Sequence, residues 1–130
     1  MAIFLLDTSV IIDVLNNKRR RPAFLLELVQ AGHVLACCPI NITEVYAGMR
    51  PKEEAATEEL FASLQHFPIP PPAARLAGEL KRGFAKKGIT LNLGDVIIAA
   101  VAMHYELTLV TDNVRDFPMK ELSLHPLPSP

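Results

Sequence analysis

The chain opens on four apolar residues, Ile3-Phe4-Leu5-Leu6, that stop at a carboxylate, Asp7, followed by Thr8 and Ser9. An unbroken apolar run this short, with no alternation of polar residues, reads as a strand buried on both faces. That confines it to a parallel sheet covered by helices on either side. Val34-Leu35-Ala36-Cys37-Cys38 and Leu107-Thr108-Leu109-Val110 repeat the pattern. The stretches between them carry helical signals. Val10 to Leu15 predicts a buried helix capped by Thr8 or Ser9. Pro22 in a first turn and the stripe Phe24, Leu25, Leu28, Val29 predict a second helix that stops at Gly32. Asn41-Ile42-Thr43-Glu44 has capping-box spacing, with Asn41 as cap and Glu44 at the third helical position. Pro51 breaks that helix, and Glu53 to Gln65 is amphipathic. Phe67 to Pro72 reads as at most an edge strand and a turn, because proline cannot donate to a central ladder. Ala73 to Lys87 predicts a helix stopped by Gly88. Gly94 to Met103 is apolar nearly all round, as a helix inside a domain should be. Leu122-Ser123-Leu124 reads as a last edge strand. Strands alternating with helices predict an α/β fold in three layers, a central, mostly parallel sheet flanked by helices on both faces.

At 130 residues the chain fits one domain, residues 1–130, large enough to bury a core without disulfides. The formal net charge of -1 selects no class of partner. Asp7 and Asp13 interrupt the first apolar segment, so it reads as neither a signal peptide nor a membrane span, and a cytoplasmic protein without membrane contact is expected. Cys37 and Cys38 are adjacent, too cramped for an ordinary disulfide and without zinc-site spacing, and read as buried free thiols.

Asp7, Glu44, Asp95 and Asp112 share one feature: each directly follows a predicted buried strand or sits in the first turn of a helix. Singly, each also suits an ordinary cap or turn, since carboxylates favour helix starts. In a right-handed parallel sheet, however, these places lie along one edge, where open α/β sheets bind ligands. Two carboxylates at ~4 Å repel by ~4 kcal/mol at an effective dielectric of ~20. A cluster therefore demands bound cations or raised pKa values, and oxygen-only donors select hard ions, chiefly Mg²⁺ or Mn²⁺. The chain has no glycine-rich phosphate loop and no serine nucleophile elbow.

Four ordered motifs together resemble a PIN-domain ribonuclease of the VapC toxin type. They are Leu5-Leu6-Asp7-Thr8-Ser9-Val10-Ile11, Asn41-Ile42-Thr43-Glu44-Val45-Tyr46-Ala47-Gly48, Gly94-Asp95-Val96-Ile97-Ile98-Ala99-Ala100-Val101-Ala102, and Leu109-Val110-Thr111-Asp112-Asn113-Val114-Arg115-Asp116-Phe117. The resemblance implies that Asp7, Glu44 and Asp95 bind metal, with a hydroxyl from Thr8 or Ser9 in support. The family's last motif reads Thr, any residue, then Asp or Asn. Thr111 takes its first place, and the fourth acidic position stays open among Asp112, Asn113 and Asp116. The activity implied is hydrolysis of RNA phosphodiesters with one or two Mg²⁺ or Mn²⁺ ions, leaving 5′-phosphate and 3′-hydroxyl ends. The partners implied are an antitoxin protein that covers the acidic groove and a second copy of the chain in a homodimer.

An acidic site must still attract a polyanion. Arg19, Arg20 and Arg21, and the Lys81, Arg82, Lys86 and Lys87 face, are the candidates for binding RNA phosphates, although runs of charge are also common on plain solvated surfaces. Two other enzyme classes fit less well. A HAD-type phosphatase wants a second Asp two residues after the first, where Ser9 stands, and a response-regulator receiver wants paired acids after its first strand. From a different class comes a catalytically silent PIN-like module that holds RNA or a protein without cutting.

Overall fold

Strand β1 (Ile3–Leu6) is the middle of the sheet, and everything else is arranged around it. The computed structural model describes residues 2–127. After β1 come helices α1 (Thr8–Leu15) and α2 (Arg21–Gln30), strand β2 (Val34–Cys37), helices α3 (Pro39–Gly48) and α4 (Glu54–Ala62), and the two-residue strand β3 (Gln65–His66). Helices α5 (Pro71–Lys86) and α6 (Leu93–His104) lead to strands β4 (Thr108–Thr111) and β5 (Ser123–Pro126). The strands lie in the order β3-β2-β1-β4-β5, and every neighbouring pair is parallel.

Because side chains alternate across a strand, each apolar run feeds both faces. Leu5, Ala36 and Leu109 pack beneath Ala77 of α5 and the long buried side of α6, from Val96 to Ala102. Phe4, Leu6, Cys37 and Val110 pack on the other face against Val10 and Ile11 of α1, Leu25 of α2, Val45 of α3 and Phe61 of α4. This is why the runs are unbroken rather than alternating. Both thiols are buried and free, and burial pushes Cys37 up to about 12 and Cys38 to about 11, which leaves them inert.

Strand order also positions the site. The chain steps outward from β1 to β2 to β3, then returns through α5 and α6 to place β4 on the other side of β1. The direction of winding therefore reverses between β1 and β4, and the crevice outside the carboxyl ends of those strands is where such sheets bind ligands. Asp7 N–H donates to the Val110 carbonyl at 2.9 Å and Leu6 pairs with Val110, so β4 runs one residue past β1 and Thr111 stands beside Asp7.

Local readings shift in four places. Thr8 and Ser9 lie within α1; Asp7 stands at the N-cap but makes no side-chain cap bond. Helix α3 begins at Pro39 with Cys38 as its N-cap, so Asn41 is the third helical residue and not the cap. Its Oδ1 accepts from Cys38 N–H at 2.8 Å, which is the reach-back predicted for Glu44 and leaves Glu44 for other contacts. The edge strand is Gln65–His66, ahead of the proline cluster, and Pro71 and Pro72 form the first turn of α5, where proline's missing N–H is no loss. Helix α4 ends at Ala62, before the predicted Gln65. No described helix is long and apolar enough to cross a membrane.

Candidate active site

Asp7 is 4% exposed at the end of β1. Thr111 Oγ1, at the end of β4, donates to its Oδ2 at 2.7 Å. Ser9 Oγ lies 3.4 Å from the same oxygen and 3.3 Å from Asp112 Oδ1, and has one proton to give. Burial pushes the Asp7 carboxyl above its ordinary value; hydrogen bonds from Thr111, the Thr8 N–H and Ser9 oppose this, and the Asp112 charge adds to it.

Glu44 reaches across from α3. Thr8 Oγ1 donates to Glu44 Oε1 at 2.6 Å, and Asn41 Nδ2 donates in turn to Thr8 Oγ1 at 3.0 Å and to the Leu6 carbonyl at 3.2 Å. Asn41 is fully buried, so this chain ties α3 to the end of β1 and fixes the rotamer of Thr8. The other carboxylate oxygen rests over Gly94. A Cβ on that residue would stand 2.6 Å from Glu44 Oε2, closer than any real contact, so a side chain there would push the Glu44 carboxylate out of this position.

Helix α6 brings Asp95. Its cap is Asn92, whose Oδ1 accepts from Gly94 N–H at 2.8 Å and Asp95 N–H at 3.4 Å, leaving the Asp95 carboxylate without a capping task. Burial, and then the charges of Asp7, Asp116 and Glu44, push Asp95 up to about 7. The four carboxylates thus share one electrostatic field although their residues span most of the sequence.

Asp112 is differently placed. Its Oδ2 accepts from Arg19 Nη1 at 3.0 Å and Arg21 Nη2 at 3.2 Å, and its side chain is 3% exposed. Asp13 joins the network at 3.5 Å from Arg19 and 3.9 Å from Arg21. Asn113 N–H donates to Thr111 Oγ1 at 2.9 Å, and Asn113 Nδ2 to Ser9 Oγ at 3.3 Å, so Asn113 orients the hydroxyls around Asp7. Of the three residues left open for the fourth position, Asp116 is the one whose charge reaches Asp95.

The candidate cations also divide. Arg21 is buried, with its guanidinium turned inward to Asp112 and Asp13, whereas Arg19 and Arg20 are exposed. Lys81 Nζ donates to the Leu91 carbonyl and clamps the loop entering α6. Arg82, Lys86 and Lys87 are exposed on α5 or just beyond it, and Lys87 Nζ lies 5.4 Å from the centre of the Phe84 ring. The arginine run looked uniformly solvated; only the fold shows one member buried. Asn41 and Gly94 carried a signal that sequence reading missed: Pro39 at the first helical position puts Asn41 at the third.

Among the described residues, no three acidic, imidazole or thiol groups are gathered around a single point as in a closed metal cage. Mg²⁺ does not require one, since it keeps several waters and commonly takes one or two carboxylates directly. Oxygen-only donors, crowded enough that mutual repulsion adds to burial in raising Asp95, fit a hard divalent cation.

The PIN domain family model matches residues 4–120. The chain belongs to the PIN-domain family. Among its PIN-domain relatives, ribonuclease VapC19 of Mycobacterium tuberculosis is 32% identical over 115 residues, covering 88% of this chain and 92% of the relative. Ribonuclease VapC10 of the same organism is 33% identical over 117 residues, covering 90% and 87%. In structure, this PIN domain superposes on a chain of the DNA-bound VapBC2 structure from Rickettsia felis with a TM-score of 0.82 at 23% identity, over 96% of this chain and 98% of that one. A chain of the DNA-bound VapBC structure from Salmonella typhimurium gives 0.81 at 24% identity, over 97% and 98%. The five-stranded parallel α/β fold is thus that of VapC proteins, and the chain is a VapC-type PIN-domain ribonuclease.

Proposed function

We propose that this chain is the toxin of a toxin–antitoxin pair and acts as an endoribonuclease that uses Mg²⁺ or Mn²⁺ and leaves 5′-phosphate and 3′-hydroxyl ends. One observation carries the reading: at the switch point of the sheet, Asp95 sits half-buried in the first turn of α6 within the field of Asp7, Asp116 and Glu44. Such a centre attracts a divalent ion and, through it, a phosphodiester. When bound, the ion supplies a Lewis acid for the phosphoryl oxygens and a water of lowered pKa.

Asp7, at the end of β1, and Asp95, in the first turn of α6, would hold the ion. Thr8 fixes one oxygen of Glu44, leaving the other to orient the attacking water and take its proton. The water oxygen bonds to phosphorus, the P–O3′ bond breaks, and O3′ leaves and acquires a proton. Thr111, Ser9 and Asn113 keep the Asp7 carboxylate aimed. Arg19, Arg20, Arg82, Lys86 and Lys87 supply exposed positive charge for the RNA backbone. The toxin role is supported by the curated relatives named as VapC ribonucleases and by structural neighbours described as VapBC or toxin–antitoxin complexes. The antitoxin covers the acidic groove, and the toxin pairs with a second copy of itself.

Cleavage of total cellular RNA by the purified protein with Mg²⁺, with Mn²⁺ and with EDTA, beside Asp7→Asn, tests this. Metal-dependent cuts whose 5′ ends ligate directly to an adaptor, absent in the variant, are expected. No cutting by folded, antitoxin-free protein in either metal would favour the silent RNA- or protein-binding module instead.

A further inference from the structure

Next to the acids lies a second hollow that the reaction above does not use. It is an open cleft of ≈ 280 Å³ lined by Arg19, Arg20, Phe24, His125 and Leu127 among others. Leu127 is also a wall of the hollow that contains Asp112 and Asp116, so the two spaces adjoin. Arg19 links the two, since it lines the cleft and donates to Asp112, a wall of the neighbouring hollow. Its position depends on an unusual turn: Asn17, Arg19 and Arg20 all have left-handed backbone, with φ of 52°, 55° and 58°. For arginine that conformation is uncommon, and it turns two consecutive guanidinium stems to the same end of the molecule. In the same cleft, one turn along α2 from Arg20, the ring of Phe24 lies 5.6 Å from that of His125 at 35°. His125 is braced from behind by the edge of Phe4 at 5.4 Å, so the imidazole is fixed in orientation.

Exposed guanidinium groups beside fixed aromatic rings in one cleft, with Glu27 as its one acidic lining residue and one step from a phosphodiester-cutting centre, form the chemistry that holds a single-stranded nucleotide: positive charge for the backbone and a ring surface for the base. At ≈ 280 Å³ the cleft is near the lower bound of small-molecule pockets, ~300 Å³, enough for one nucleotide and too small for a duplex. We infer that the Arg19-Arg20-Phe24-His125 cleft is a nucleotide subsite that binds the residue flanking the scissile phosphodiester in single-stranded RNA, and so contributes to choice of cutting site. The inference rests on the ribonuclease reading.

Its test does not need turnover. Binding of a fluorescent single-stranded oligoribonucleotide is measured in EDTA for the native protein, for Arg20→Asn, which tolerates left-handed backbone, and for Phe24→Leu, which keeps an apolar plug. A loss of about tenfold is expected in each, with the salt slope of Arg20→Asn shallower by about one. Binding by Phe24→Leu equal to that of the native protein overturns the subsite. Because Phe24→Leu could perturb packing, photo-crosslinking of a 5-bromouridine oligoribonucleotide to the unsubstituted protein provides an independent arm. Crosslinks in the peptides holding Phe24 or His125 are expected, and crosslinks confined to other peptides overturn the assignment. A native protein that binds in this way but cuts nothing in Mg²⁺ or Mn²⁺ would refute the ribonuclease reading while leaving the cleft as an RNA site.

Discussion

Asp7 and Asp112 each directly follow one of two neighbouring parallel strands, share Ser9, and are both almost fully buried, yet their surroundings differ in kind. Asp7 receives hydrogen bonds from hydroxyl and amide groups, which orient it without cancelling its charge. Asp112 receives two guanidinium groups, which do both. Position at the end of a β-strand therefore does not by itself make a metal ligand. What separates the two acids is whether the protein supplies the counter-charge or leaves that to a ligand.

Asp95→Asn should push this contrast furthest. Cleavage is expected to fall by about 10³-fold or more, the order of ~4 kcal/mol of lost transition-state stabilisation, while the thermal midpoint at pH 8 rises because a repelling charge is gone. Gel-based cleavage and calorimetry read the two effects separately. A fall in both would mean that Asp95 is a structural acid like Asp112.

Asp112→Ala makes the opposite case. It leaves Arg21 buried with a lost partner, so destabilisation of about 3 kcal/mol is expected, on the order of 10 °C in thermal midpoint. Cleavage at a temperature where the variant is folded should stay within about tenfold. A thousandfold loss in folded protein would return Asp112 to the ligand set.

Gly94→Ala tests the acidic side without touching a charge. The new Cβ displaces Glu44 from its place between Thr8 and α6, and a shift of that size is expected to cost about 100-fold in cleavage. Stability should change by less than in Asp112→Ala, and chemical denaturation distinguishes the two.

The smallest effect is on pH dependence. The folded protein holds the Asp95 proton up to about 7, against an ordinary value of 3.8, so folding takes up a proton between these limits. The stabilisation is complete below the lower value and is lost as pH rises through the upper one. Metal-free protein should therefore be less stable at pH 8 than at pH 5.5 by about 1–2 kcal/mol, since water still reaches the half-buried Asp95. Asp95→Asn should flatten that slope, and Mn²⁺ should raise the melting temperature more at pH 8 than at pH 5.5. Parallel melting curves for the two proteins would show that Asp95 does not set the slope.

The parts of the fold legible in the sequence were those written in apolar runs. Phe4 to Leu6, Ala36 to Cys38 and Leu107 to Val110 each have to be covered on both faces, which dictates parallel strands in three layers. Gln65 and His66 could not be read as a strand, because a two-residue exposed edge buries nothing and leaves no pattern. Within the site, the positions of Asp7 and Asp95 were legible because a lone acid that closes or opens an apolar segment stands out. The separate surroundings of Asp112 and Asp116 were not, since they depend on where a three-residue turn, Val114–Asp116, aims its side chains. Nor was the inward turn of Arg21. A run of four cations looks alike along its length, and only the left-handed turn at Arg19 and Arg20 separates the buried one from the others.

The strand order also bears on how such a protein is made. The central strand is synthesised first, but one of its two neighbours in the sheet, β4, begins only at Thr108, and Thr111, Asn113 and Asp116 come later still. At translation rates of ~5–20 residues per second, roughly 5–20 s separate Asp7 from the groups that complete its surroundings. A nascent or prematurely terminated chain lacking β4 has Asp7 and Glu44 but not the crevice that β1 forms with β4. The cell that produces this nuclease is thus exposed to its chemistry only after β4 and the turn through Asp116 have been translated.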